Sequence, residues 1–189
     1  MRVKQYAALA AITLFSFVTF VPVNQVIANP ITLDHSTPAK HRVAPNAASR
    51  ADEIIVYKSK RVMYLLNKGR IIRKYRIALG KNPVGHKLEW GDNRTPEGKY
   101  KIDLKNGKSA YHLSLRVSYP DATDADVAAS LDINPGDWIM IHGLPNGRNA
   151  GSVQHPNKDW TNGCIAVTND EIREIWRMVD IGTPISIWP

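Results

Sequence analysis

The amino-acid sequence predicts a mainly β domain with only a few short helices, and three observations lead to this fold class. Short runs rich in β-branched and aromatic residues recur along the chain, bounded by glycine, proline or asparagine. Helix signals occur in only two segments, and both are short. The 189 residues are 43% hydrophobic and contain no internal repeat, which suits one domain with a substantial core.

Seven segments have the composition of strands. The first three form a meander, because Asn67, Lys68 and Gly69 make a tight turn in which glycine supplies the positive φ. The segment from residue 111 to 117 alternates apolar and polar side chains, as expected of a strand with one buried face. In chain order the predicted strands cover residues 53–58, 61–66, 70–79, 99–104, 111–117, 138–141 and 184–188.

Two segments carry helix signals, and a long polar loop lies between them. Residues 121–131 predict a short helix with Thr123 or Asp124 as its N-cap. Residues 169–179 predict a stronger helix, because apolar side chains recur at positions i, i+3, i+4 and i+7. Residues 143–160 are polar and contain three glycines, and a loop of that length in a compact domain is usually functional.

The N-terminal residues are expected to lie outside this domain. Residues 1–28 combine two cations, an apolar run and a small-x-small end, which predicts a secretory signal peptide. An uncleaved membrane anchor is the alternative, although Pro22 interrupts the run. Residues 29–50 hold three prolines among small and polar residues and predict a flexible linker, so the folded domain covers 51–189. The protein is therefore expected to be exported, with no membrane span once the signal is removed.

The chain is basic, with a formal net charge of +8, and loss of Arg2 and Lys4 with the signal lowers it to +6. A basic exported protein is expected to meet anionic polymers such as the cell wall. The positive charges do not form one block, and no nucleic-acid-binding motif is present, so the sequence predicts no nucleic-acid partner.

Cys164 is the only cysteine, and downstream of an export signal a lone thiol is either buried and inert or retained for its reactivity. Gly163 permits a sharp turn beside the sulfur, and His142 follows a predicted strand. Thiol and imidazole are the minimum for nucleophilic acyl transfer, with backbone N–H groups around Gly163 stabilising the oxyanion. A zinc site is a poor alternative, because Cys164, His142 and His155 are too few ligands. No metal or other cofactor is expected.

Two motifs resemble the signature of the L,D-transpeptidase (YkuD-type) catalytic domain family. They are Ile141-His142-Gly143 and, after a gap, Thr161-Asn162-Gly163-Cys164. The likeness covers about residues 52–188 and is to the short members that have no peptidoglycan-binding module. Further matching segments, in the same order as in the family, are Ile77-Ala78-Leu79-Gly80, Gly91-Asp92, Arg94-Thr95-Pro96-Glu97-Gly98, His112-Leu113-Ser114-Leu115, Ser118-Tyr119-Pro120 and Gly182-Thr183-Pro184-Ile185.

This resemblance implies a sandwich-like β fold with a lid loop and a C-terminal helix, and it implies residue roles. Cys164 would be the nucleophile and His142 its base, with the Gly143 carbonyl orienting the imidazole. Backbone N–H groups of Asn162, Gly163 and Cys164 would form the oxyanion hole. The substrates would be peptidoglycan stem peptides: Cys164 would form a thioester, expel the terminal D-alanine and pass the acyl group to an amine.

Two positions depart from the family's pattern. Asn162 stands where many members have a second histidine, so proton transfer would depend on His142 alone. Ala166 stands where many members have an arginine that contacts a substrate carboxylate, and another cation would have to replace it. The candidate replacements are Arg94, Arg148 and Lys158, and the other candidate substrate contacts are Thr161, Trp160 and His155.

Three functions remain open at this point. The first is transfer of the acyl group to an amine of a stem peptide, an envelope protein or a D-amino acid. The second is hydrolysis on the same scaffold, as an L,D-carboxypeptidase or endopeptidase with water as acceptor, because a fold does not fix one reaction. The third is a non-catalytic domain that binds the cell wall.

Overall fold

The computed structural model describes residues 49–147 and 151–189. The predicted signal peptide, almost all of the predicted linker and Arg148 lie outside these described residues, so the predictions that concern them stay predictions. Within the described ranges, no helix is both long enough and apolar enough to cross a membrane.

Eight strands and two helices form the part of the chain that the structure describes, so the mainly β fold class is confirmed. Both predicted helices are present. The strands are β1 (Glu53–Tyr57), β2 (Val62–Asn67), β3 (Arg70–Arg76), β4 (Gly98–Ser109), β5 (His112–Val117), β6 (Met140–His142), β7 (Ile165–Ala166) and β8 (Pro184–Trp188); the helices are α1 (Ala122–Ser130) and α2 (Asn169–Met178).

Some element boundaries differ from those expected. The N-cap of α1 is Asp121, and neither Thr123 nor Asp124. Asp121 accepts from the Asp124 amide while the Asp124 carboxylate accepts from the Asp121 amide, which is a capping box. The predicted strand at 138–141 begins only at Met140, and Trp138 before it has a left-handed φ of 59° instead of the extended backbone typical of a strand.

All eight strands belong to one sheet in the order β3-β2-β1-β8-β4-β5-β6-β7. The chain continues past β3, and there Ala78 pairs with Ala166 of β7 through two backbone hydrogen bonds of 3.0 and 2.8 Å. Since β3 and β7 lie at opposite ends of the strand order, the sheet curls until its two ends are joined.

The long strand β4 belongs to both halves of the curled sheet. Residues 98–101 pair with β8, whereas residues 102–109 pair with β5. The layers expected of a sandwich are therefore two halves of one sheet, and the core lies between them. Its fully buried members include Ile54, Leu65, Ile77, Ile102, Leu115, Ile141, Ile165 and Ile187.

Helix α2 packs against this core and supports the segment that follows β6. A capping box between Thr168 and Glu171 fixes its first turn, and Ile172 is fully buried. The Asn169 side-chain oxygen accepts a 2.8 Å hydrogen bond from the Leu144 amide. A Cβ at Gly143 would lie 2.6 Å from that oxygen, so only glycine allows this close approach.

Candidate active site

Parallel pairing of β6 and β7 brings the two motifs of the sequence together. His142 is the last residue of β6 and pairs with Ala166, and Ile141 pairs with Ile165. Cys164 immediately precedes β7, so the two candidate catalytic residues lie at neighbouring positions of the sheet. They share a cavity of about 290 Å³, here called the catalytic cavity, lined by Lys81, Tyr111, His142, Trp160, Thr161, Asn162 and Cys164.

His142 is held in one orientation and one tautomer. Its Nδ1 lies 2.6 Å from the Gly143 carbonyl oxygen, which can only accept, so Nδ1 carries the proton and Nε2 is left as an acceptor. The imidazole ring lies 4.5 Å from the ring of Tyr111 and 5.6 Å from that of Trp160, measured between centroids. This arrangement gives the imidazole the form that a general base needs.

Burial controls the charge of His142. The side chain is 3% exposed, and the loss of solvation lowers its pKa to about 4. The hydrogen bond to the Gly143 carbonyl opposes this shift without cancelling it, and His155 adds to the lowering. The imidazole is therefore neutral at pH 7 and able to accept a proton.

The Cys164 thiol is half-buried and also neutral. Its Sγ lies 3.5 Å from the Trp138 carbonyl oxygen, to which the thiol donates. Burial raises the pKa of the thiol, and the Met140 amide and the Lys87 ammonium offset only part of this effect. Thiol and imidazole are thus both neutral, and they are not a preformed thiolate and imidazolium.

The Thr161 side chain holds the turn that presents Cys164. Its hydroxyl donates to the Cys164 carbonyl at 2.7 Å and accepts from the Gly163 amide at 3.1 Å. Among the described residues, the amides of Asn162 and Cys164 donate to no protein group. Of the three amides expected in the oxyanion hole, that of Gly163 is therefore already engaged, and the other two are available.

Two glycines allow the chain to pack against this turn. Gly163 has a φ of 129°, and a Cβ there would lie 2.7 Å from the Arg94 carbonyl oxygen. A Cβ at Gly80 would lie 2.0 Å from the Asn93 carbonyl oxygen and 3.0 Å from the Gly163 Cα. Backbone is thus stacked directly on backbone behind Cys164, which no larger residue permits at these positions.

Asp159 anchors the end of the 143–160 loop. Its carboxylate receives the Arg61 guanidinium, with the shortest contact at 2.7 Å, and also accepts from the Leu79 amide at 2.8 Å. This bidentate pair joins the residue before Trp160 to the start of β2.

The other candidate substrate contacts lie in different surroundings. Trp160 and Thr161 line the catalytic cavity. Arg94 donates to the His86 carbonyl at 3.4 Å and lines none of the cavities that reach Cys164. His155 does not line those cavities, and both of its buried ring nitrogens lack a hydrogen-bond partner among the described residues.

Sequence reasoning did not identify several residues of this site. Tyr111 stacks on the imidazole although it is 31 positions away, and Lys81 enters the catalytic cavity from the segment after β3. Cys164 also lines a cavity of about 280 Å³ with Lys87, Trp90 and Trp138. Only the closure of the sheet brings these segments together, so no local pattern could have identified them. No group of three or more possible metal ligands occurs in the described ranges.

Comparison with known proteins agrees with this geometry. Over 149 residues the chain is 28% identical to an Escherichia coli (strain K12) protein named "Putative L,D-transpeptidase YafK", covering 72% of this chain and 53% of that protein. The chain thus spans about half the length of the curated relatives it matches.

Two solved structures share the fold. Bd1075 of Bdellovibrio bacteriovorus is 27% identical with a TM-score of 0.51, and 75% of this chain aligns with 49% of that chain. The helical cell shape determining protein Pgp2 of Campylobacter jejuni is 22% identical with a TM-score of 0.55, and 75% of this chain aligns with 50% of that chain. The family described as the L,D-transpeptidase catalytic domain (YkuD) matches residues 51–187. The chain therefore belongs to the L,D-transpeptidase catalytic domain (YkuD) family.

Proposed function

We propose that this protein is an exported cysteine L,D-transpeptidase that acts on peptidoglycan stem peptides through a thioester on Cys164. One observation supports this above all others. The thiol shares a cavity with a neutral imidazole whose Nδ1 proton is held by the Gly143 carbonyl, which leaves Nε2 ready to accept the thiol proton.

The proposed acylation follows from the two neutral groups. The thiol proton passes to His142 Nε2 as the sulfur attacks the carbonyl on the L-centre of the diamino acid. The amides of Asn162 and Cys164 stabilise the oxyanion. The C–N bond then breaks, the imidazolium returns its proton to the departing D-alanine nitrogen, and the thioester remains.

The second half of the reaction requires an acceptor to reach the thioester. An amine attacks the thioester carbonyl and gives a proton to His142, and the C–S bond breaks to release Cys164. Cys164 lines two cavities besides the catalytic cavity, of about 280 and 210 Å³. These openings would give an amine acceptor its own approach to the sulfur.

The decisive experiment is intact-mass analysis of the purified protein after incubation with disaccharide tetrapeptide. We expect an adduct of the stem lacking D-alanine, together with cross-linked products, and neither with Cys164→Ala. An adduct that decays only to tripeptide stem would make the protein a hydrolase. If no adduct forms but the protein still binds sacculi after thiol alkylation, it is a wall-binding domain.

A strained acyl donor tests the nucleophile without a stem peptide. We expect a carbapenem to acylate Cys164, because its β-lactam presents a reactive carbonyl to the thiol. His142→Ala should slow this acylation by roughly 10²- to 10⁴-fold, the usual range for loss of a general base. An unchanged rate would assign the base to another residue. Export is tested separately, by fractionating cells that produce the full chain.

A further inference from the structure

The catalytic cavity contains a lysine that the proposed reaction leaves without a role. Among the described residues that line this cavity, Lys81 is the only Lys, Arg, Asp or Glu. Its neighbours there are aromatic, hydroxyl and amide side chains together with the neutral thiol and imidazole. A lone ammonium beside a nucleophile attracts an anionic group of whatever molecule enters.

Lys81 differs from the two buried lysines near the site in having no acidic partner among the described residues. The buried Lys58 ammonium donates to the Gly85 and Thr95 carbonyls and to the Glu97 carboxylate, and the buried Lys87 ammonium donates to the Glu89 carbonyl and to the Asp92 carboxylate.

The exposed Lys81 ammonium has one partner among the described residues, the Asn162 side-chain oxygen at 3.1 Å. An ammonium carries three donors, so two remain for a ligand.

Backbone hydrogen bonding holds Lys81 against the turn at residues 161–164, which carries Cys164. Its amide donates to the Thr161 carbonyl at 3.0 Å, and the preceding Gly80 forms a bridge with Thr161. The position of the ammonium is therefore tied to the turn that carries Cys164. A ligand held by Lys81 would be positioned relative to the sulfur by the same segment.

Two cations named from the sequence do not compete for this position. The Arg94 side chain contacts the His86 carbonyl, away from the catalytic cavity. Lys158 lines a neighbouring cavity of about 220 Å³ that it shares with Lys81, and that cavity does not reach Cys164.

We infer that the Lys81 ammonium binds the terminal carboxylate of the donor peptide, on the residue that the reaction expels. This inference rests on the proposed function. In such a donor the carboxylate carbon is two bonds from the departing nitrogen, so a cation in the cavity of the nucleophile is suitably placed for it. The enzyme would then select the last residue of a stem and reject the same bond inside a longer peptide.

The test compares two donors with three variants. The donors are disaccharide tetrapeptide with a free C-terminal carboxylate and the same compound with a C-terminal carboxamide. The variants are Lys81→Met, which removes the charge at similar length, Lys81→Arg, which keeps it, and Lys158→Met as the control. The measurement is the initial rate of thioester formation against donor concentration, followed by intact mass.

For the free-acid donor, we expect Lys81→Met to lower kcat/KM roughly 10- to 100-fold, as befits loss of a charged hydrogen-bond partner. Most of this loss should be in KM, and Lys81→Arg should recover most of it. The carboxamide should be a poor donor for the parent, and Lys81→Met should change its rate by less than about twofold, since no charge is left to bind. Lys158→Met should behave as the parent with both donors.

Two results would overturn the inference. An equal loss with both donors would mean that Lys81 acts only by holding Asn162, and equal use of both donors by the parent would mean that no carboxylate is bound. If the parent forms a thioester with neither donor, the proposed function itself fails. This result is distinct from the two kinetic results above, because both of them require that a thioester forms.

Discussion

Two loops flank Cys164, and they differ in how their polar groups are satisfied. The first, residues 80–97, carries the backbone that packs behind Cys164. The second, residues 143–160, of which 148–150 lie outside the described residues, starts at the His142 motif and ends beside the turn that carries Cys164. The contrast indicates which loop is a fixed support of the site and which loop has polar groups available to bind a ligand.

The 80–97 loop is tied together by buried charges. The Lys58 ammonium reaches from the end of β1 and bonds two carbonyls and a carboxylate of this loop at 2.6–2.8 Å. The Asp92 carboxylate accepts the Lys87 ammonium and three backbone amides. Those contacts hold the pKa of Asp92 below its usual range despite its burial. The loop therefore resists any change that would move it.

The described part of the 143–160 loop is anchored near both ends and contains buried polar groups that have no partner among the described residues. Asn169 and Asn146 fix its start and Asp159 its end. In this loop, the His155 nitrogens and the Trp160 indole N–H are buried without a partner in the part of the chain that the structure describes. Buried polar groups without partners cost stability, and they are open to a ligand or water.

The largest expected effect comes from removing the charge that holds the 80–97 loop. Lys58→Met leaves three acceptors unpartnered and should lower the free energy of unfolding by about 3 kcal/mol or more. Urea denaturation at pH 7 measures this loss. Lys158→Met, an exposed lysine of the other loop, is the matched control and should cost under about 0.5 kcal/mol. Equal small losses would remove the distinction between the loops.

The next effect is a pH dependence that arises from His142. Its pKa is about 4 when folded and near the ordinary 6.5 when unfolded, so acid favours the unfolded chain, which binds the proton more readily. Stability from this group is complete above pH 6.5 and is lost as the pH falls through about 4.

Between pH 7 and pH 4.5 the parent should lose about 2 to 3 kcal/mol more than His142→Gln, measured by urea unfolding at both values. Identical losses in parent and variant would show that the imidazole is solvated when the protein is folded.

Backbone stacking gives a smaller effect. Gly80→Ala would bring its Cβ to 2.0 Å from the Asn93 carbonyl oxygen, and we expect it to cost about 1 to 3 kcal/mol and to slow acylation of Cys164. The matched change in the second loop is Gly151→Ala, because nothing lies within 4 Å of a Cβ there. Its stability and activity should equal those of the parent. Thermal melting and carbapenem acylation compare the pair.

The smallest expected effect is the difference in stability between replacing one histidine of the first loop and one histidine of the second. His86 accepts from the Glu97 amide at 3.0 Å and contacts Asp124 at 3.0 Å, so His86→Leu should cost about 1 kcal/mol or more. His155→Leu removes nitrogens that have no partner among the described residues and should be neutral or slightly stabilising. A larger loss at His155 than at His86 in parallel urea titrations would contradict the contrast between the loops.

Local sequence patterns predicted much of the fold. The Asn67-Lys68-Gly69 turn predicted the hairpin between β2 and β3, and the apolar stripe of α2 predicted a helix of which Ile172 and Ile175 are fully buried. These features depend on residues close in sequence, so period and turn chemistry are enough to find them.

Long-range closure was not predictable in the same way. Strand β7 has only two residues and no period of its own, and it exists because it pairs with β6 and Ala78. Lys81 lies in the catalytic cavity because the same pairing of the two ends of the sheet brings the segment after β3 next to Cys164. The engagement of the Gly163 amide was also missed, because it depends on the orientation of one hydroxyl, that of Thr161.

The position of β8 has a consequence for how the protein is made. This strand lies inside the sheet, parallel to β1 on one side and antiparallel to β4 on the other. Its partners in β1 are about 130 residues earlier, so the sheet cannot form until residue 188 has emerged from the ribosome. Completion of the sheet must therefore wait for β8, and we expect the growing chain to remain accessible to chaperones and proteases until synthesis has passed that point.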